Sequence, residues 1–204
     1  MRIFLCALVL VALGFPVAAS AQQRFMGFTA EELIDAKFVE ETRGWLEVPV
    51  VRMTVESQNA RRGEISAEEI EARDQVWRKE REQQDQPFVA SVLSNPLSTY
   101  LTRIQARSIG LYSEIIVVDD VGLNAGQSAI TGDYWQGDEA KFQKTFEVGR
   151  NAVFIDEPEL NEATATWRAQ LNLTLHSEAG EPIGAATVEV NLTELSRRRA
   201  FIGN

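Results

Sequence analysis

An α+β fold, helices first and an antiparallel sheet after them, is what this 204-residue sequence predicts. Two observations carry the prediction. The first half holds two capping boxes, Thr29-Ala30-Glu31-Glu32 and Ser66-Ala67-Glu68-Glu69, in which a hydroxyl and the later carboxylate satisfy the free amides of a helix start. From Glu114 onward the apolar residues instead follow strand patterns separated by Gly, Asp and Pro turn signals. About five strands, with helices on at least one face, are expected.

The chain opens with a leader pattern. Met1-Arg2 is a short positive start, residues 3–17 are almost wholly apolar, and Ala19-Ser20-Ala21 has the small-x-small form that signal peptidase reads. Residues 1–21 are therefore expected to be a signal peptide cleaved before Gln22, leaving a periplasmic or secreted protein. The apolar run is short for a membrane span, and no later segment is long and apolar enough for one. The single cysteine, Cys6, would leave with the leader, so the mature chain would hold no disulfide and no cysteine metal ligand. With 20 basic against 30 acidic side chains, the net charge is −10. That balance argues against nucleic acid as a partner, since binding it needs clustered Lys and Arg.

Residues 22–84 read as an N-terminal helical region. Leu33, Ile34, Phe38, Trp45 and Leu46 follow helical spacing, and Val51, Met53 and Val55 continue the apolar character beyond Pro49, which should kink or interrupt the helix. A second helix is predicted from about Ala67 to Gln84. It is mostly charged, with Ile70, Val76 and Trp77 as its apolar contacts, and its charge run reads as a solvated face.

Residues 85–204 read as the strand-bearing domain. Phe88, Val89, Val92, Leu93, Leu97, Tyr100, Leu101 and Ile104 predict a further helical stretch after Pro87, broken at Asn95-Pro96. Ile115-Ile116-Val117-Val118 is a buried strand running into the turn Asp119-Asp120-Val121-Gly122, with its partner over residues 125–130. A short helix over 140–147 and a strand over 152–155 follow. The last two strands, 164–176 and 183–192, are joined as a hairpin through Ser177-Glu178-Ala179-Gly180-Glu181-Pro182. Along the first of these, Trp167, Ala169, Leu171, Leu173 and Leu175 alternate with Arg168, Gln170, Asn172, Thr174 and His176. Its partner sets Ala186, Val188 and Val190 against Thr187, Glu189 and Asn191. The apolar face should carry the helices, while the polar face either meets solvent or floors a cavity.

Between the strands lies Asp133-Tyr134-Trp135-Gln136-Gly137-Asp138-Glu139, two large aromatics and three carboxylates in one loop. Rings are costly to leave in water and carboxylates cannot enter an apolar core, so a shallow wet pocket suits both, the alternative being a loop whose rings cap the core. The order of this loop, the preceding Ile115–Gly122 strand and turn, the segment Ala152-Val153-Phe154-Ile155-Asp156-Glu157 and the hairpin Glu181-Pro182-Ile183-Gly184-Ala185 resembles the Cache family of extracytoplasmic sensor domains. The resemblance spans about Pro87 to Leu192 and implies a PAS-like fold with its ligand between sheet and loop. It also implies a sensor; members of the family usually precede a transmembrane helix and an output module, and the departure from that pattern here leads us to expect a free-standing form that passes its signal to a separate partner such as a membrane-bound receptor or kinase.

The candidate ligand-binding residues are Asp133, Tyr134, Trp135, Asp156, Arg168, Gln170 and Asn172. Tyr134 and Trp135 would wall the pocket, Asp133 or Asp156 would take a ligand amine, and Arg168 with Gln170 and Asn172 a carboxylate or other anionic end. Acids beside aromatics favour a cationic or zwitterionic small molecule such as an amino acid or amine. Each residue also has a plainer use: Arg168 pairing with Glu189 across strands, Asp156 capping a turn, Trp167 filling core. No enzyme is expected, because the mature chain would offer one histidine, His176, read as a solvated turn residue, and no thiol. No cofactor or metal site is expected either; Asp119, Asp120, Asp138 and Glu139 lack calcium-loop spacing. The alternative reading is a helical interaction or dimerisation module that binds no small ligand, with a homodimer as one outcome. Arg197-Arg198-Arg199 is either a docking patch or an ordinary set of partners for a helix C-terminus.

Overall fold

The computed structural model describes residues 24, 25 and 27–202. The predicted leader, residues 1–21 with Cys6, lies outside them. Three short helices come first. Helix α1 (Ala30–Leu33) opens on the complete Thr29/Glu32 capping box, α2 (Ala36–Leu46) on Asp35, whose carboxylate accepts from the Phe38 amide, and α3 (Pro49–Arg62) on Pro49 in its first turn. Pro49 interrupts the helix as expected. The extra break at Ile34 follows from Asp35, a cap that outcompetes continuation of the first turn.

Helix α4 (Ala67–Glu80) begins on the complete Ser66/Glu69 box. Helices α5 (Pro87–Leu93) and α6 (Pro96–Arg107) meet at the predicted Asn95-Pro96 break, where Asn95 caps the Ser98 amide. Strands β1 (Tyr112–Asp119) and β2 (Asn124–Gln127) follow, then α7 (Ala140–Gln143), β3 (Val153–Ile155), β4 (Glu159–Asn161), β5 (Thr166–His176), β6 (Pro182–Asn191) and α8 (Leu192–Ile202). The described residues contain no helix long and apolar enough to cross a membrane.

All pairings are antiparallel, in the order β2-β1-β6-β5-β3, and β4 also pairs with β5. The sheet thus has six strands where about five were expected. The addition is β4, three residues long and too short for an alternation to register in the sequence.

The two faces of the sheet separate as the alternation predicts. Ile115, Val117, Ala169, Leu171, Leu173, Leu175, Ala186, Val188 and Val190 are buried in the main core, against Leu33, Phe38, Leu46, Val51, Val55, Leu97, Leu101, Leu192 and Leu195. Helices α3, α6 and α8 pack on this face. Residues from both sides of the expected 84/85 boundary therefore share one core. A second, smaller nucleus joins Trp77, Val89, Val92, Leu123 and Tyr134.

The turn after β1 is tied to α3. Asp119, fully buried, accepts from the Val121 and Leu123 amides and from Gln58 Nε2 at 3.0 Å and Arg62 Nε at 3.3 Å; Arg62 also pairs with Asp120. Gly122 sits at φ +85°, a conformation the turn requires. The C-terminal arginines are staples. Arg197 and Arg198 pair with Glu194, Arg198 also donates to the Ser108 and Ile109 carbonyls, and Arg199 donates to the Leu33 carbonyl and Asp35. These two guanidinium groups hold Glu194 down to a pKa of about 2.

Candidate functional site

The polar face of the sheet is covered in part. Cα pairing aligns three rows across it: Glu114, Glu189 and Gln170; Ile116, Thr187 and Asn172; Val118, Ala185 and Thr174. Residues 128–152 fold over these rows as a roof. Phe142 of α7 is buried with Ile116, Val118 and Ala185, and Phe146 packs against that cluster. Farther along, Thr174 Oγ1 donates to the Gly149 carbonyl at 3.0 Å, and Lys144 lies over the Phe154 ring. Between Gln136, Lys141 and Phe142 above and Ile116, Val118, Ala185 and Thr187 below, no water-sized space remains.

The first row concentrates charge. Glu114 faces Glu189 directly across β1 and β6, an unfavourable pairing of like charges. Burial first, and then Glu189, push the Glu114 carboxyl up to about 7. Glu189 is already paired with Arg168 at 2.9 Å, and the nearby Lys141 with Glu139 at 3.1 Å. Where this row reaches the sheet edge, Asp156, Glu157, Glu159, Arg168, Gln170 and Glu189 line a cleft of about 60 Å³.

The structure brings together three of the predicted residues, Asp156, Arg168 and Gln170, in that cleft. The other four lie elsewhere. Asn172 is fully buried and fully engaged: Nδ2 donates to the Phe154 and Gln170 carbonyls, and Oδ1 accepts from Thr187. Tyr134 is buried between Trp77 and Phe88, 5.5 and 4.7 Å between ring centroids, and burial pushes its phenol up to about 12. The Trp135 indole donates to the Val121 carbonyl at 2.9 Å. Asp133 bonds Gln136 and faces Arg78 at 3.5 Å. The two rings cap a hydrophobic nucleus, because α4 supplies Trp77 on the side where the loop would otherwise meet water. His176 is half-buried, not solvated, with Nε2 buried and without a hydrogen-bond partner; burial and then Arg43 lower its pKa.

Three participants escaped the sequence reading. Glu114 precedes the obvious apolar run of β1 and carries no pattern of its own. Lys141, 9% exposed, lies in a helix of four residues. Asp74 lies inside the charge run of α4, yet is only 3% exposed and accepts from the Tyr134 and Trp135 amides at 2.7 and 3.1 Å. The legible signal was Trp77 three residues on, which marks that face of α4 as turned inward. Among the described residues no group of three or more His, Cys, Asp or Glu side chains is placed to hold a metal ion.

No protein-family model matches the sequence, and no curated protein matches it either. Solved structures do. The chain is similar to the sensory domain of the Campylobacter jejuni chemoreceptor Tlp3, at 13% identity and a TM-score of 0.38 over 78% of this chain and 64% of that one. It is similar to the ligand-binding domain of the Pseudomonas aeruginosa amino acid chemoreceptor PctC, solved in complex with GABA, at 16% identity and TM-score 0.36 over 79% and 64%. It is also similar to the sensor domain of Escherichia coli DcuS, at 14% identity and TM-score 0.37 over 72% of this chain and 98% of that one. The chain thus spans 64% of the length of the first two.

Proposed function

We propose that this chain is an exported, non-enzymatic sensor protein that binds a small molecule on the polar face of its sheet and relays that state to a separate partner. The observation that carries the reading is the half-buried row of charge at the edge of the roof. Two glutamates, Glu114 and Glu189, stand opposite each other on a sheet that an apolar pair would stabilise better, so the charge serves something other than folding. The cleft that opens from this row fits an ammonium group best. Asp156, Glu157, Glu159 and Glu189 converge there against one cation, Arg168, and an incoming amine would relieve the excess. A volume of about 60 Å³ holds little more than two waters, so a larger occupant has to widen the cleft between these side chains.

The alternative of a helical interaction module without a ligand gains less support, because α2 and α3 spend Phe38, Leu46, Val51 and Val55 in the core. A thermal-shift screen of residues 22–204 with amino acids, amines, small carboxylates and purines tests the proposal. A ligand that raises Tm in proportion to the logarithm of its concentration is expected, with Asp156→Ala weakening it about tenfold or more while the free protein melts as before. A panel without any stabilising compound, or a hit indifferent to both Asp156→Ala and Glu189→Gln, counts against it.

A further inference from the structure

We propose that α4 and residues 131–135 move as one unit, so that lifting the roof from the sheet is transmitted to α4. The loop is clasped to α4 at every position. Asp74 accepts from the Tyr134 and Trp135 amides, Trp77 Nε1 donates to the Thr131 carbonyl at 3.2 Å, Arg81 donates to the Gly132 carbonyl at 2.7 Å, and Arg78 bridges Asp74 and Asp133. Beneath these bonds Trp77, Tyr134 and Phe88 form one aromatic nucleus, separate from the main core. Hydrogen bonds to a buried carboxylate are among the stronger ones a protein makes, so this seam resists opening.

The opposite seam is bonded at its two ends, where Ser128 meets Ile115 and where Gly149 and Ala152 accept from Thr174, and packed between them. The loop is bonded to its neighbour β2, through the Asn124 amide to the Tyr134 carbonyl and the Gln136 amide to the Gly122 carbonyl, which makes β2 its hinge. Over β1, β5 and β6, by contrast, Gln136, Lys141 and Phe142 rest by packing, and among the described residues no hydrogen bond joins these three to those strands. At the hinge itself, Asn124 Oδ1 and Gln127 Nε2 are buried without partners although both residues are fully enclosed. The other ends of these side chains hold the loop, Asn124 Nδ2 donating to Thr131 Oγ1 at 2.9 Å and to the Asp133 carbonyl at 3.0 Å and Gln127 Oε1 accepting from Thr131 at 3.2 Å, so loop and β2 stay joined while the roof parts from the sheet beyond them. An occupant of the sheet face would therefore part the roof from the sheet and carry α4 with it. Among the elements α4 packs chiefly against α5, so little else restrains it.

That this motion reports a ligand rests on the proposed function; the coupling itself does not, and hydrogen exchange without any ligand reads it. Phe142→Ala loosens the roof on the sheet side without touching α4, and Asp74→Ala loosens it on the α4 side without touching the sheet. In both variants the amides of residues 67–80 and 131–136 are expected to exchange together, about tenfold faster than in the parent, while those of residues 166–176 hold their protection. Roof amides that speed up in Phe142→Ala with α4 unchanged would overturn the proposal, as would an Asp74→Ala roof as protected as before. Where either alanine variant loses protection in residues 166–176 as well, Phe142→Leu and Asp74→Asn repeat the comparison under the same criteria.

Discussion

Single residues divide into those whose role their neighbours in sequence announce and those whose role depends on what folds over them. Thr29 and Ser66 belong to the first group; Glu114, Asp74 and Tyr134 belong to the second. Glu114 makes a pH prediction. Its carboxyl is pushed from the ordinary 4.5 up to about 7, so between those values the folded protein keeps a proton the unfolded chain has released. Stability therefore falls as pH rises through that window. Glu114→Gln abolishes the fall: its Tm is expected to match the parent near pH 4.5 and to exceed it above pH 7, and parallel Tm–pH curves would refute the assignment. Trp77, with no exposed surface, makes a packing prediction. Trp77→Ala should lower the free energy of unfolding in denaturant by about 3 to 5 kcal/mol, as for other large-to-small aromatic substitutions in a core.

Elements were legible where local chemistry sets their ends. Both capping boxes, the Pro49 interruption, the Asn95-Pro96 break and the β5–β6 hairpin follow from backbone demands that a few consecutive residues satisfy. Removing such a device has a modest cost: Thr29→Ala is expected to lose about 1 kcal/mol of stability in chemical denaturation. The turn after β1 is less forgiving. At Gly122 a Cβ would stand 2.6 Å from the Gly137 backbone in addition to the φ of +85°, so Gly122→Ala should cost roughly 2 kcal/mol and shift the denaturation midpoint accordingly. Elements of three or four residues, β4 and α7, escaped precise prediction because periodicity needs more length than they have. Helix α4 was read correctly as a helix and incompletely as a surface. Its charge run does face water, but the Asp74–Trp77 stripe faces the roof, and Trp77 is the residue in that run whose apolar bulk marks the inward side.

At the scale of the whole molecule, one core spans both halves of the chain. Leu33, Phe38, Leu46, Val51 and Val55 cover strand residues that would otherwise be exposed. Residues 85–204 expressed alone are therefore expected to show no cooperative thermal transition by circular dichroism, whereas residues 22–204 show one; a sharp melt of the shorter chain would mean that the sheet and its own helices suffice. The class of fold, the antiparallel hairpins and the apolar face of β5 and β6 are readable from the residues alone, because alternation and capping are local consequences of backbone geometry. What covers the polar face, the meeting of Asp156, Arg168 and Gln170 in one cleft while Tyr134 and Asn172 are buried, and the grip of α4 on the roof emerge with the packed chain. Those outcomes depend on residues 60 positions apart, such as Asp74 and Tyr134, and pairing over that distance is set by the packing of the whole chain, which no local pattern records.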